Sequence, residues 1–557
     1  MAVRNADTIL IRGANWLGDA VLTLPALNAV TENFPGSDLH ILTFPDLWAI
    51  YERQSGVKDI IPYERQGRHR GLRGRLRLAS ELRRKAFDLA VLFPNSFDSA
   101  LLSFLSGVKN RLGYRRDGRG ILLTHPVRPH PSYFFAHKAF YFLYLLESAG
   151  LDAPFSLPRV NPGQEAERQA DYLIGPPCPE EFLLAIAPGA AFGSAKRWPP
   201  EQFARAAALV LEGRSGRVIF LGAEGDAQAA RKTGDFLARL RPDIVSHNLA
   251  GRTGIDGASA LLRRSGLILT NDSGMMHLAG AVGTPLVAAF GPTDPLLYAP
   301  LERGTVVYAA ASCAPCSHRE CPKGERVCFT GVTPEKVAFA ARKALETEAS
   351  RQMNRPPAVF LYCDDTVLVF PEGPGNPDSY GSSGNRETMQ LRPGSAKSIA
   401  LLAGAGFKIV FIAALPAHLS GISGRAYQKR FRQDFLNILG TQGTGLDALY
   451  TCHYHSDGLI EDMGEPFSCP IPAEKFFEQA GDVLSIDLGR SFWVGETRKD
   501  IQAAMAFGGC GILVATERGI REAANFMDPA RPRLVAPSLL RVAEWIICRT
   551  RAIDRES

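Results

Sequence analysis

The chain has 557 residues, of which 46% are hydrophobic and 22% are charged, and its formal net charge is +6 at pH 7. This length allows three domains of ordinary size, and the composition is typical of a globular protein. The sequence contains no uncharged apolar run of about 18 residues, the length that a bilayer requires. These values exclude a protein that spans a membrane.

The beginning of the chain, "MAVRNADTILIRG", lacks the apolar region and the cleavage site of a signal peptide. We therefore expect a cytoplasmic protein whose ten cysteines are mostly reduced. Residues 64–85 are rich in arginine, which suits nucleic acid, anionic lipid headgroups or a phosphorylated acceptor, or simply a solvated surface. Because no nucleic-acid motif lies beside them, we expect no nucleic-acid partner and favour an anionic membrane surface or acceptor.

Residues 1–165 alternate apolar strands such as "TILIRG", "DLHILTF" and "FDLAVLFP" with helical segments. A second series over residues 166–348 has the strands "FLLAIAPG", "RVIFLGA", "GLILTND", "PLVAAFGP" and "GTVVYAA". A third α/β block covers residues 356–545. This alternation predicts doubly wound parallel sheets with helices on both faces. Ligands bind at the carboxyl ends of such strands, so the first two blocks predict a cleft between facing rims.

The segment "NDSGMMHLAG", residues 271–280, follows a strand and begins a helix. Short polar residues and glycine leave backbone N–H groups free at a helix start, where the helix dipole adds partial positive charge and favours a phosphate. The alternative is an ordinary turn in which Asp272 or Ser273 caps the helix. The sequence predicts a phosphate contact from Asn271, Asp272, Ser273 and Gly274.

Four stretches occur in a fixed order: "GANWLGDAVLTLPAL", "LFPNSFDSALL", "APGAAFGSAKRWPPEQFA" and "TNDSGMMHLAGAVGTPLVAAFGPTDP". Together they resemble the ADP-heptose:lipopolysaccharide heptosyltransferases, inverting glycosyltransferases of the GT-B fold, over residues 7–345. The resemblance implies an acceptor-binding Rossmann-like domain at 1–165 and an ADP-heptose-binding one at 166–348. It further implies transfer of L-glycero-D-manno-heptose from ADP-heptose, without a required cofactor, to the first heptose of a lipid-linked lipopolysaccharide core at the inner membrane face.

Inverting transfer needs a base for the acceptor hydroxyl and positive charge for the departing diphosphate. Asp19, in "GANWLGD", resembles the catalytic carboxylate of the family, although it could simply cap a helix. Lys196, in "GSAKRWP", resembles the lysine with which the family contacts the donor phosphate. Together with Arg197 it would offset the negative charge that develops on ADP. The alternative for this basic pair is a surface position before a helix.

Five further residues are predicted around these two. His277 lies one turn inside the helix that follows residues 271–274 and could bind ADP or be a satisfied buried residue. Glu224 follows another strand of the nucleotide-binding half and could accept hydrogen bonds from ribose, or be solvated. On the acceptor side, the sequence predicts contacts from Asn15, Asn95 and Ser96.

Cys313, Cys316, Cys321 and Cys328 follow C-x2-C-x4-C-x6-C spacing. Four thiolates in a reducing compartment indicate a structural zinc site. The absence of a second close pair leaves redox-active or purely structural thiols open.

Residues 356–545 resemble the haloacid-dehalogenase (HAD) phosphatases, most closely the heptose-bisphosphate phosphatase branch, whose first strand ends Asp-x-Asp-Gly-Thr. Here that strand ends "FLYCDDTVLV", which puts Tyr362 at the nucleophile and Asp364 at the acid/base position. Glu496 and Asp500 match the magnesium-binding acids. A phenol with a pKa near 10 cannot replace a carboxylate as nucleophile and metal ligand, so we expect a degenerate HAD-like domain. The alternative is a bifunctional enzyme that retains phosphatase activity.

Overall fold

The computed structural model describes residues 6–130, 133, 136–176, 181–302, 304–309, 311–316, 318–349, 355–363, 366–369, 389–416, 422–442, 444–454, 474–524 and 531–554. The described strands are β1 Thr8–Arg12, β2 Asp38–Thr43, β3 Val57–Pro62, β4 Leu89–Leu92, β5 Asn110–Tyr114, β6 His125–Val127, β7 Phe182–Ala187, β8 Gly216–Phe220, β9 Val245–Asn248, β10 Leu267–Asn271, β11 Leu286–Phe290, β12 Gly304–Tyr308, β13 Ala358–Tyr362, β14 Leu368–Val369, β15 Gln390–Leu391, β16 Lys408–Pro416, β17 Ala448–Tyr454, β18 Phe492–Gly495, β19 Cys510–Val514 and β20 Leu534–Ala536.

The described helices are α1 Leu17–Leu22, α2 Leu24–Asn33, α3 Trp48–Tyr51, α4 Gly71–Arg83, α5 Phe97–Leu105, α6 Lys138–Glu147, α7 Gln164–Ile174, α8 Pro200–Val210, α9 Ala227–Leu240, α10 Ile255–Arg264, α11 Gly274–Val282, α12 Pro295–Tyr298, α13 Pro334–Ala349, α14 Ser395–Gly404, α15 Ile422–Thr441, α16 Glu474–Val483, α17 Arg498–Ala506, α18 Glu517–Ala524 and α19 Leu539–Asp554. No helix among the described residues is long and apolar enough to cross a membrane.

Three parallel sheets share one strand order. The first runs β3-β2-β1-β4-β5-β6, the second β12-β11-β10-β7-β8-β9 and the third β17-β16-β13-β18-β19-β20. In each, the first strand of the block is central and the chain switches sides after the third strand, which is the doubly wound Rossmann order. The central strands are buried along their length, because helices cover both faces of such a sheet.

The first two sheets belong to one compact unit, residues 1–130 and 138–352. Helix α1, which follows β1, contacts helix α11, which follows β10. A Cβ atom on Gly274 would lie 2.8 Å from the Cβ of Leu17, so glycine allows the two helices to meet. Arg53 on one half also forms an ion pair with Asp256 on the other at 2.8 Å. These contacts place the carboxyl ends of β1 and β10 on facing rims.

The second unit comprises residues 131–137 and 353–557. Its core includes Phe360 stacked on Trp493 at 4.8 Å between ring centroids, with Phe477 packed against both. The backbone N–H of His137 donates to the carbonyl of Val535 at 2.9 Å. A short segment from the first α/β block is therefore part of the second unit, a feature that the sequence did not predict.

Candidate active site

Asp19 lies in the first turn of α1, directly after the loop that follows β1. It lines a cavity of about 160 Å³ on the first sheet. The predicted acceptor-side residues Asn15, Asn95 and Ser96 line the same cavity. The structure thus brings together side chains from two loops that are distant in the sequence, at the carboxyl ends of adjacent strands β1 and β4.

The charge state of Asp19 is set by burial and by three neighbouring groups. Removal from water raises its pKa, Lys138 and Lys196 lower it, and Asp272 raises it. Lys196 and Asp272 belong to the second sheet, so the Asp19 carboxylate interacts electrostatically with both halves. A buried carboxylate that remains ionised is a stronger base than an exposed one.

Lys138, which the sequence did not predict as a site residue, begins α6 and lines the Asp19 cavity. Its ammonium lies 3.9 Å from the centroid of the Tyr141 ring. Burial lowers the pKa of Lys138, while the nearby Asp19 raises it. The available signal was a lone lysine at the start of the apolar segment "KAFYFLYLLE", which has no motif around it.

Asn15 is oriented by a buried arginine. Its Oδ1 accepts a hydrogen bond from the Arg12 guanidinium at 2.7 Å. That guanidinium lies 5.1 Å from the Phe44 ring and 5.3 Å from the Tyr63 ring, and burial lowers the pKa of Arg12 to about 10. The amide group of Asn15 is therefore held in one orientation, with its NH₂ end left for a ligand.

Asn95 and Ser96 occupy the loop between β4 and α5. The Asn95 amide donates to the hydroxyl of Tyr141 at 3.1 Å. Ser96 caps α5, because its side-chain oxygen accepts from the backbone N–H of Ser99 at 3.4 Å. Ser96 therefore has a structural task as well as its place on the cavity wall.

Lys196, on the loop after β7, forms a buried ion pair with Asp272 at 2.5 Å. The same Asp272 carboxylate accepts from the Thr293 hydroxyl at 2.5 Å. Two aromatic rings lie beside the ammonium, Phe192 at 5.0 Å and Tyr298 at 5.8 Å. This cluster is a polar site with aromatic walls at the carboxyl edge of the second sheet, which is the environment expected for a nucleotide diphosphate.

The side chain of Asn271 is fully buried. Its amide NH₂ donates to the carbonyls of Pro188 at 2.8 Å and Gly189 at 3.2 Å, and its Oδ1 accepts from the backbone of Trp198 at 2.9 Å. Both hydrogens of the amide are thereby used. The Asn271 side chain ties β10 to the Lys196 loop, and a diphosphate contact from residues 271–274 stays a prediction for their backbone and hydroxyl groups.

Ser273 and Gly274 form the start of α11. Ser273 has extended backbone angles, and its side chain makes no capping hydrogen bond to the helix. Its hydroxyl lies 3.3 Å from that of Thr270. Because the Ser273 side chain does not cap the helix, it leaves the N–H groups of the first turn of α11 to other partners, and anion binding by Ser273 and Gly274 stays a prediction.

His277 lies where α11 meets α1. A Cβ atom on Gly18 would come within 2.9 Å of its ring Cδ2 atom. Burial lowers the pKa of His277 to about 4, so the ring is neutral near pH 7. The structure places His277 in the contact between the two halves, and its predicted binding to ADP stays a prediction.

Glu224 and Asp226 follow β8 in a short 3-10 turn. Asp226 is buried and accepts from the backbone N–H of Ala223 at 3.1 Å, and it lies 3.5 Å from the Arg197 guanidinium. Glu224 is exposed at the rim. Asp226 therefore holds the loop, and the exposed Glu224 is the carboxylate that a ligand can reach.

The four cysteines of the 313–328 loop are free thiols. Within the described part of the chain, no group of three or more Cys, His, Asp or Glu residues could hold a metal ion. The structure therefore does not support the predicted zinc site at Cys313, Cys316, Cys321 and Cys328. Burial and the neighbouring cysteines raise the pKa of the Cys328 thiol to about 11.

The loop of residues 313–328 instead forms hydrogen bonds with the loop that carries Lys196. The backbone N–H of Ala195 donates to the carbonyl of Arg319 at 3.0 Å. The Arg326 guanidinium donates to the carbonyl of Ser194 at 3.3 Å and also to that of Arg197. These bonds fix the backbone on both sides of Lys196.

In the second unit, Tyr362 ends β13 and is buried, with 5% of its surface exposed. Glu496, directly after β18, accepts from the Thr516 hydroxyl at 2.6 Å and from Arg518 at 3.4 Å. Asp500, at the third position of helix α17, forms a capping box with the N-cap residue Thr497. Asp364 lies outside the described residues. The two acids that match magnesium ligands thus have structural hydrogen bonds of their own.

Comparison with known proteins identifies both parts. Residues 75–326 match the model of glycosyltransferase family 9 (heptosyltransferase), and residues 469–542 match a HAD-hydrolase-like model. Lipopolysaccharide heptosyltransferase 2 of Salmonella typhimurium is 28% identical over 61% of this chain and 99% of its own length. D-glycero-beta-D-manno-heptose-1,7-bisphosphate 7-phosphatase of Yersinia pestis is 28% identical over 29% of this chain and 83% of its own.

Among solved structures, ADP-heptose lipopolysaccharide heptosyltransferase II of E. coli is 25% identical, with a TM-score of 0.53 over 62% of this chain and 100% of the other. The strand orders and the ordered sequence stretches agree with this likeness. The chain is therefore a glycosyltransferase of family 9 with the two Rossmann-like domains of the GT-B fold, fused to a C-terminal HAD-like domain.

Proposed function

We propose that this enzyme transfers L-glycero-D-manno-heptose from ADP-heptose to the first heptose of the lipopolysaccharide inner core. One observation carries the assignment of roles: the Asp19 carboxylate and the Lys196–Asp272 pair come from facing rims and interact electrostatically. An acceptor in the Asp19 cavity and a donor at Lys196 would then meet between them.

The reaction follows from these positions. Asp19 accepts the proton of the acceptor hydroxyl while its oxygen attacks C1 of the donor heptose from the face opposite ADP. The bond from C1 to the ADP oxygen breaks, and the configuration at C1 inverts. Lys196 and the first turn of α11, which includes Ser273 and Gly274, stabilise the negative charge that develops on the diphosphate.

Transfer from ADP-heptose to a heptose-terminated core acceptor, followed by mass spectrometry of the product, tests this proposal. D19N removes the base, and we expect kcat to fall by about 10²–10⁴-fold while ADP still binds. D46N is the matched control, since Asp46 is an exposed aspartate in the same half. Unchanged transfer by D19N would refute Asp19 as the base.

We further propose that the enzyme works on the cytoplasmic side of the inner membrane and binds its surface through α4. Leu72 and Leu76 on this helix are 66% and 47% exposed. The exposed Arg73 and Arg77 are their immediate neighbours, while Leu78 is buried against the protein core. An exposed apolar pair flanked by arginines fits an anionic lipid surface.

Sedimentation with vesicles tests this second proposal. We expect the wild-type chain to bind vesicles containing anionic lipid more strongly than zwitterionic ones, and L72S/L76S to lose this binding. L240S is the control, because Leu240 is 48% exposed on a different helix. Equal binding by L72S/L76S and the wild type would contradict α4 as the membrane contact.

A further inference from the structure

Two arginines converge at one edge of the HAD-like sheet. Arg533 directly precedes β20, and its backbone N–H donates to the carbonyl of Gly511 at 2.7 Å, next to Cys510 at the start of β19. Helix α19, which carries Arg549, contacts both strands. This is the amino edge of the sheet, whereas Tyr362 lies at the carboxyl end of its strand.

Among the described residues, no acidic side chain balances the positive charge at this edge. Arg533 Nη2 and Arg549 Nη1 are buried and have no hydrogen-bond partner there. Within the residues that the structure describes, neither guanidinium forms an ion pair. Burial and the charge of Arg549 together lower the pKa of Arg533 to about 9, so the cation still persists at pH 7.

In the described part of the second unit, neighbouring side chains do not supply the missing negative charge. Burial raises the pKa of the Cys510 thiol, so it is neutral near pH 7. The Arg549 guanidinium lies 5.1 Å from the centroid of the buried Trp545 ring, which orients it but leaves its edge N–H groups available. Leaving buried charged donors without an acceptor is unfavourable, because their lost hydration is not replaced by hydrogen bonds.

We propose that Arg533 and Arg549 form a binding site for a phosphate-bearing anion. Two guanidinium groups provide paired N–H donors that match phosphate oxygens, and their combined charge matches a phosphate dianion. Arg533 and Arg549 are half-buried as whole residues, while Arg533 Nη2 and Arg549 Nη1 themselves are shielded from solvent, so the anion reaches these two atoms by a small rearrangement of the side chains. The site lies at the amino edge of the sheet and is separate from the residues that match the HAD motifs.

Titration of the full-length protein with inorganic phosphate tests the proposal. Saturating ADP is added first, so that the proposed donor site is occupied, and sodium chloride keeps the ionic strength constant. We expect phosphate to raise the Tm and to slow hydrogen exchange in residues 508–516 and 531–549. R549Q should weaken phosphate binding at least about tenfold, as expected from the loss of one charge-assisted pair.

R521Q is the matched control, because Arg521 is exposed on α18, and it should bind phosphate like the wild type. If R549Q does not fold, R549K keeps the charge but loses the paired donors and should weaken binding severalfold. Glucose 6-phosphate in a parallel titration shows whether the site prefers a sugar phosphate or the free ion. No phosphate effect on the wild type, or an equal effect on R549Q, would overturn the site.

Discussion

At the scale of single residues, the site depends on how charges share a buried space. Asp19 is removed from water, which favours its protonated form, yet Lys138 and Lys196 favour the carboxylate. Lys138 also lines the acceptor-side cavity. We infer that Lys138 is a positioning residue that keeps the proposed base ionised at the pH at which the enzyme works.

Replacing Lys138 with methionine tests this role. The positive charge lowers the pKa of Asp19, so K138M should raise it, and the acidic limb of kcat/KM against pH should move to higher pH. Activity lost at neutral pH should be partly recovered in alkaline buffer, where Asp19 is ionised again. If K138M loses activity equally at every pH and the acidic limb of kcat/KM does not move, Lys138 has only a structural role. K109M is the control, because it changes an exposed lysine. R119K would not serve, because Arg119 is fully buried.

Residue-scale features also show where sequence reasoning reaches its limit. Asp19 and Lys196 stand in motifs, so the sequence could single them out. Lys138 stands in none, and only the packing of α6 against the first sheet brings it to the cavity. Asn271 stands in a predicted phosphate-binding segment, but the structure shows that a contact with the distant Trp198 occupies its side chain, which no local pattern indicates.

At the scale of elements, the contact of α1 with α11 links the two halves. Glycine at position 18 lets the His277 ring approach to van der Waals distance. The structure places Gly18 inside α1, where the absence of a side chain allows this close approach. Strand positions were predictable because continuous apolar runs are typical of buried parallel strands. Contacts between helices of different halves leave no such pattern.

G18A tests the contact. The added methyl group would lie 2.9 Å from His277 Cδ2, and overpacking of this kind costs about 1–3 kcal/mol. We expect a lower midpoint of urea unfolding and a lower kcat/KM, since Asp19 is next in the chain. G254A is the control, because a Cβ atom at Gly254 meets open space. Equal stability of G18A and the wild type would show that the helices can separate at no cost.

At the scale of the whole molecule, a family 9 glycosyltransferase is joined to a HAD-like domain in one chain. The resemblance to HAD phosphatases puts Tyr362 where a carboxylate nucleophile is expected, and Tyr362 is buried. Glu496 and Asp500 are retained but take part in structural hydrogen bonds. We propose that this unit is a folded domain without phosphatase activity.

A phosphate-release assay on heptose 1,7-bisphosphate with Mg²⁺ tests the absence of this activity. We expect the wild-type chain to release no more phosphate than E496Q does, because a phenol cannot serve as the phosphoryl acceptor. Release that depends on Mg²⁺ and disappears in E496Q would establish a bifunctional enzyme. D19N serves as a second control, since Asp19 belongs to the other unit.

We propose that Asp19 and Lys196 act on one acceptor and one donor across the gap between the two Rossmann-like domains. The most direct measurement is the ADP-heptose-dependent mass gain of a heptose-terminated core acceptor with wild type, D19N and K196M. We expect one added heptose with the wild type and strongly reduced transfer with both variants, with weaker ADP binding only in K196M. Full transfer by D19N, or ADP binding by K196M as tight as by the wild type, would contradict it.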